Sequence, residues 1–202
     1  MFPTQTYIQR RNSLKSLINK GLLLFLGNSD ASVNYPGNQY RFRQDSTFNY
    51  FFGLTEPDLA AIIDVESGEE IIFGNDVDID DIIWMGPQPL IKDKAKSVGV
   101  HKTLPLSSLD EYVSNAKSKG RIVHFLPPYR NHNKIVLNRL LDIPFEKMKE
   151  MASIEFIKGV VKLRIVKDDS EIAEIEKACN IGYAMHYAAM KSVRLGMVEQ
   201  DL

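Results

Sequence analysis

Between Tyr40 and Gly53 the chain reads YRFRQDSTFNYFFG, with Tyr40, Phe42, Phe48, Tyr50 and Phe52 at even positions and Arg41, Arg43, Asp45, Thr47 and Asn49 at odd ones. A period of two predicts extended backbone. Gln44 and Ser46 interrupt the aromatic side, so two strand pieces are expected, the second running from about Phe48 to Phe52. Charge concentrates at the break, residues 43–46, and any specific role is to be sought there.

The rest of the sequence alternates helical and extended patterns. Tyr7, Ile8, Leu14, Leu17 and Ile18 share one helical face, with Gly21 as the expected stop. LLLFL, from Leu22 to Leu26, reads as a buried strand, and a polar loop is expected from Asn28 to Gln39. AAIIDV (60–65) and EIIF (70–73), joined by Glu66-Ser67-Gly68, read as a hairpin. Ser108 and Glu111 have the spacing of a capping box, with Gly120 closing that helix. RIVHFL (121–126) is the next strand, stopped by Pro127 and Pro128, and a helix follows from Asn133 to Leu141.

Residues 1–152 therefore predict an α/β domain, a mixed sheet flanked by helices. From Ser153 onward no strand signal remains and two helical patterns follow. Asp168-Asp169-Ser170-Glu171 can cap the second, whose Ile172, Ile175, Cys179, Gly182, Met185, Ala189 and Val193 keep one face. Two helices without a sheet to cover read as an incomplete second domain over 153–202.

Composition narrows the classes. Twenty-five Lys+Arg against 26 Asp+Glu leave a net charge of −1, so no basic excess points to a nucleic-acid partner. The densest apolar run, Leu22 to Leu26, is far short of the ~20 residues of a membrane span. A single cysteine, Cys179, excludes an internal disulfide, and a cytoplasmic address is expected.

Candidate chemistry is sparse. Asp76, Asp78 and Asp80 have the spacing of the first calcium-loop ligands, but Asp81 stands where the loop needs glycine and Pro87 where it needs glutamate, so a helix start with carboxylates at its positive end is the better account. His101, His124, His132 and His186 are scattered without a ligand spacing, and His186 and Cys179 read as packed residues. Phosphate-cradling glycine motifs and a nucleophile elbow are absent. Phe48 and Phe52 are expected to face the core. Arg43 and Asp45 must be paired or hydrogen-bonded. Two readings stand open for them, an internal ion pair that fixes the loop and a contact with substrate or a second domain.

In their order along the sequence these segments resemble the Xaa-Pro aminopeptidase and prolidase family. Phe42 to Ser46 resembles its Phe-Arg-Gln-x-Ser, Phe48 with Tyr50 its Phe-x-Tyr, Gly53 with Glu56-Pro57 its Gly-x-x-Glu-Pro, and Trp84 with Gly86 its Trp-x-Gly. LRIVKDDSEIAEIEKACNIGYAMHYAAM, with Gly196 and Glu199 after it, resembles the opening of the family's pita-bread catalytic domain. Leu195 departs from the usual proline, and Asn49 from the large residue common at its position.

The resemblance implies a creatinase/prolidase-type, ribonuclease H-like amino-terminal domain, followed by a linker and the first helices of a truncated pita-bread domain. It also implies that the full-length enzyme hydrolyses the bond preceding proline with two divalent metal ions, expected to be manganese, whose five ligands lie beyond Leu202, so that this fragment is inactive and holds no metal. Implied partners are peptides with proline at the second position and a second copy in a homodimer, with no nucleic acid and no membrane. Arg41, Arg43, Asp45, Asn49, Tyr50 and Glu56 are the expected substrate- or interface-facing residues. Two other activities share the architecture: a metal-free peptide- or histone-binding module, and a creatinase-like hydrolase of a small guanidino substrate.

Overall fold

The computed structural model describes residues 1–202. Two compact units divide it, Met1–Leu163 and Arg164–Leu202. The first is built on five strands in the order β6-β5-β4-β1-β7: β1 Leu22–Leu26, β4 Ala60–Asp64, β5 Glu70–Phe73, β6 Lys102–Leu104 and β7 Val123–His124. β4 runs antiparallel to both β1 and β5, whereas the outer pairs β1/β7 and β5/β6 are parallel. The sheet is mixed, as the sequence predicts.

Both of its faces are covered, and that explains the unbroken apolar runs LLLFL and AAII. Along β1, Leu23 and Phe25 point to one core with Ala61, Ile63 and Ile72, under α1 (Thr4–Lys15), α2 (Ser46–Phe52), α4 (Ile91–Ser97) and α8 (Ile154–Arg164). Leu22 and Leu24 point the other way, with Ile62, Ile71 and Phe73, under α5 (Leu109–Ser118), α6 (Asn131–Leu141) and α7 (Met148–Met151). Phe156 and Val160 of α8 are buried against Phe25 and its neighbours.

Several expectations change. α1 stops at Lys15, well before Gly21. Gly21 instead lets the backbone enter β1: its φ is +100°, and a Cβ there would sit 2.8 Å from the Ile122 carbonyl oxygen. The loop from Asn28 contains a small hairpin, β2 (Ser32–Tyr35) with β3 (Asn38–Gln39). Ser108 does not cap α5, because residues 106–108 already form a 3₁₀ turn and hold Ser108 in helical backbone. β7 is shorter than RIVHFL; Arg121 is drawn into an ion-pair cluster and the Phe125 carbonyl accepts from Ser153 N.

α3 (Ile79–Met85) follows the acidic run with Asp78 as its cap, the Asp81 amide donating to Oδ1 at 2.8 Å. It buries nothing, and Trp84 is 87% exposed. The second unit is carried by α9 (Asp169–Ser192), which begins with the expected capping box: Asp168 accepts from the Glu171 amide, and Glu171 accepts from the Asp168 amide. Its Ile172, Ile175, Met185 and Cys179 are exposed, so the expectation of a packed Cys179 is corrected within this unit. No helix of the protein is long and apolar enough to cross a membrane.

Candidate functional site

Residues 48–52 are helical, not extended. The run STFNYFF is α2, and the reason lies in two features that a period-two reading hides. Asp45 is its N-cap, Oδ1 accepting from the amides of Thr47 and Phe48 at 2.9 Å each. Phe48, Phe51 and Phe52, spaced i, i+3, i+4, are fully buried. In so aromatic a segment both periods find matches, and the cap together with Gly53 decides for helix. Gly53 adopts φ +64° and donates its N–H to the Asn49 carbonyl at 2.8 Å, closing α2 in a left-handed turn.

Gln44 holds the segment in place. Its side chain, in a residue 7% exposed, accepts from Asn28 N at 2.7 Å and Asp45 N at 2.8 Å, and donates through Nε2 to the Glu56 carbonyl at 2.8 Å. Asn28 Nδ2 then donates to the Arg43 carbonyl at 2.8 Å and to the Tyr129 hydroxyl at 3.0 Å. One carboxamide thus joins the end of β1, the start of α2 and the Glu56-Pro57 turn.

Two buried arginines hold the other end of α2. Arg10 Nη1 donates to the Tyr50 carbonyl at 3.0 Å and Arg11 Nη1 to the Phe51 carbonyl at 2.9 Å, satisfying acceptors that a helix end leaves unpaired. Arg11 is 0% exposed and also reaches Glu70 Oε2 at 2.7 Å and the Val98 carbonyl at 2.9 Å. Burial lowers its pKa and the Glu70 carboxylate works against that shift. Sequence reasoning missed Arg10, Arg11, Gln44 and Asn28. The signal for the arginines was a charged pair inside an otherwise amphipathic helix.

The six residues expected at a site separate by their surroundings. Arg41, Arg43 and Asn49 are exposed, and neither arginine makes an ion pair. Arg43 and Asp45 do not pair with each other, so the internal ion pair is not formed. Asp45 is occupied at the helix start. Tyr50 is half-buried, its hydroxyl donating to the Leu163 carbonyl at 2.9 Å and its ring lying 4.0 Å from the Arg10 guanidinium. Glu56 pairs with Lys94 at 3.0 Å. Arg43 and Asn49 line a shallow recess with Phe42, Ser46 and Thr55.

Asp45, Ser46 and Thr47 also wall a groove of about 310 Å³ at the carboxyl ends of the parallel pair β1 and β7, with Leu26, Tyr129 and Val161 among its other walls. Such crevices are where open α/β sheets commonly bind ligands. No three His, Cys, Asp or Glu residues come together to hold a metal ion.

Residues 7–124 match the family model described as aminopeptidase P, N-terminal domain. The chain is similar to the Xaa-Pro aminopeptidase of Escherichia coli, 24% identical over 211 residues that span 98% of this chain and 47% of that protein. It is 25% identical over 186 residues to a probable Xaa-Pro aminopeptidase of Blastomyces gilchristii, covering 91% of this chain and 35% of the relative. Among solved structures, proline aminopeptidase P II of Yersinia pestis matches with a TM-score of 0.80 at 22% identity, over 99% of this chain and 48% of that one. The low-pH form of E. coli aminopeptidase P gives 0.78 at 22% identity, over 98% and 47%. A further E. coli structure is the zinc-substituted enzyme with product. The chain spans less than half the length of each of these proteins, and the likeness to the solved structures carries the fold.

Proposed function

This chain belongs to the aminopeptidase P family through its amino-terminal domain, and from that we propose that it is the cleft-covering and oligomerisation part of a dinuclear-metal Xaa-Pro peptidase, which hydrolyses the peptide bond preceding proline. The observation that carries this reading is the build of residues 42–57. Gln44 and Asp45 fix the start of α2, Arg10 and Arg11 of α1 hold its end, and Arg41 and Arg43 stand out from that fixed base without internal partners.

In this reading Arg41, Arg43 and Asn49 meet the peptide or the partner subunit. Asp45, Tyr50 and Glu56 hold the backbone that presents them. Long flexible cations on a rigid support suit selection among peptides by their carboxylates or by peptide length. A bound pair of divalent ions would activate water and stabilise the charge that develops on the amide. The side chains present here do not form such a metal site, so no step through it is assigned to them. Helix α9 opens the catalytic domain in this proposal, the assembly is a homodimer and the location is the cytoplasm.

The test is manganese-dependent release of the first residue from an Xaa-Pro peptide, by a polypeptide continued past Leu202 and by the 202-residue chain. Release by the longer form alone supports the proposal. Inactivity of both, with no bound metal, would favour the metal-free peptide-binding module. In the active form, Arg43→Ala should change peptide-length preference or assembly; an effect on folding stability alone would refute the role given to Arg43.

A further inference from the structure

Helix α8 ends the first unit, and its last turn is held by a side chain from the signature segment. A helix leaves its final four carbonyls without amide partners; in α8 these belong to Val161, Lys162, Leu163 and Arg164. The Tyr50 hydroxyl donates to the Leu163 carbonyl at 2.9 Å, across 113 positions of sequence. One residue further on, the Arg164 carbonyl accepts from Lys167 Nζ at 2.6 Å. The first of these contacts comes from α2, the second from the segment that follows the helix.

The Tyr50 ring has little freedom. The Arg10 guanidinium lies 4.0 Å from its centroid and 4.9 Å from that of Phe2, and the Phe51 ring meets it edge-on at 4.9 Å. Arg10 also donates to the Tyr50 carbonyl at 3.0 Å. Ring and backbone of Tyr50 are therefore fixed from α1, and its hydroxyl is aimed by groups outside α8. Apolar packing does not require that hydroxyl. Tyr50 and Leu163 both lie at the margin of the core around Phe25 and Phe156, where phenylalanine would bury the same ring. What the hydroxyl adds is a directed bond to the last turn before the chain passes to Arg164–Leu202. Just beyond that turn the backbone has left the helix, and Ile165 and Val166 are exposed.

We propose that Tyr50 is a positioning residue: by capping α8 it fixes the backbone from which the chain enters Arg164–Leu202, and thereby couples α2 to that exit. Under the peptidase reading, on which this consequence rests, the exit leads to the catalytic domain, so Tyr50 governs substrate affinity without touching substrate or metal.

Tyr50→Phe in the 202-residue protein keeps the ring and its stack and removes one hydrogen bond. Amide exchange of Leu163 and Arg164, and tryptic cleavage after Arg164, should rise about fivefold, the factor that one such bond accounts for. Cleavage after the exposed Lys119, in the same unit but at the end of α5, should keep its rate. No change at Leu163 and Arg164, or a rise shared equally by Lys119, overturns the proposal. In a polypeptide continued past Leu202 the same substitution should raise KM for an Xaa-Pro peptide several-fold and leave kcat near its original value, the pattern of lost binding rather than lost chemistry. A fall in kcat with KM unchanged overturns the coupling. If that longer polypeptide hydrolyses nothing before any substitution, the peptidase reading fails, and exchange at Leu163 still decides the role of Tyr50.

Discussion

Replacing Gln44 by leucine tests whether one buried carboxamide organises the signature segment. The change keeps the approximate size and removes both polar atoms. It strips the partner from Asn28 N, Asp45 N and the Glu56 carbonyl, all held at 2.7–2.8 Å. Leaving a buried donor or acceptor unpaired costs about 1–3 kcal/mol. Asp45 N and the Glu56 carbonyl can recover some solvation because their residues are half-buried, whereas Asn28 is fully enclosed. With the gain from a new apolar side chain set against these losses, a net destabilisation of about 4 kcal/mol is expected. At an m-value of ~2 kcal/mol per molar urea, the unfolding midpoint should fall by ~2 M. Near-UV circular dichroism is the probe of choice, since the Phe25, Phe51, Phe52 and Phe156 cluster reports on this unit while Trp84 is exposed. Gln88→Leu is the control; that side chain donates only to the exposed Met85 and Gly86 carbonyls. A loss below about 1 kcal/mol, or one equal to the control, would refute the reasoning.

Arg11→Met should cost ~3 kcal/mol, because it leaves the Phe51 and Val98 carbonyls unpaired and half of the Glu70 carboxylate without its partner, with Lys15 still on Oε1; urea unfolding measures it. Gly53→Ala should cost more than about 2 kcal/mol, since φ is +64° and a Cβ would lie 2.2 Å from the Tyr7 ring; thermal unfolding checks it. Asp64 should confer acid sensitivity. Hydrogen bonds from Arg121 hold its carboxyl down to about 2, against an ordinary 3.8, so the folded state binds this proton less readily than the unfolded polypeptide does. Its contribution of about 2 kcal/mol is therefore complete above the ordinary pKa and is lost as pH falls towards 2, and Asp64→Asn should remove that part of the pH dependence of the urea midpoint.

What the sequence revealed follows from where each residue's information resides. β1, β4 and β5 were legible because each is buried on both faces, and a run of apolar residues then has few alternatives. α9 was legible because its cap, Asp168 with Glu171, is local in sequence. α2 was misread because its evidence is split. Alternation of aromatic rings suggested a strand, and the helical set Phe48, Phe51, Phe52 becomes visible only once Asp45 is recognised as a cap. β6 and α4 passed unnoticed, being three and seven residues long with weak patterns of their own. No local signal could have shown Arg11 bonding to Phe51, Val98 and Glu70, whose positions lie 40, 87 and 59 residues away.

The same distinction separates support from contact within the candidate site. Gln44, Asp45, Arg10 and Arg11 each hydrogen-bond a backbone group at one end of α2, so substituting any of them alters the position of everything between residues 43 and 56. Arg41 and Arg43 have no such commitments, and their removal leaves the backbone hydrogen bonds intact. An assay that sees equal effects from Asp45→Ala and Arg43→Ala is reading the shape of the segment. One that separates them, with stability changed by the first and peptide selection by the second, is reading the guanidinium group itself. The residues most conspicuous as charge in the sequence thus fall into two physical classes, and burial, rather than charge or motif, assigns each to its class.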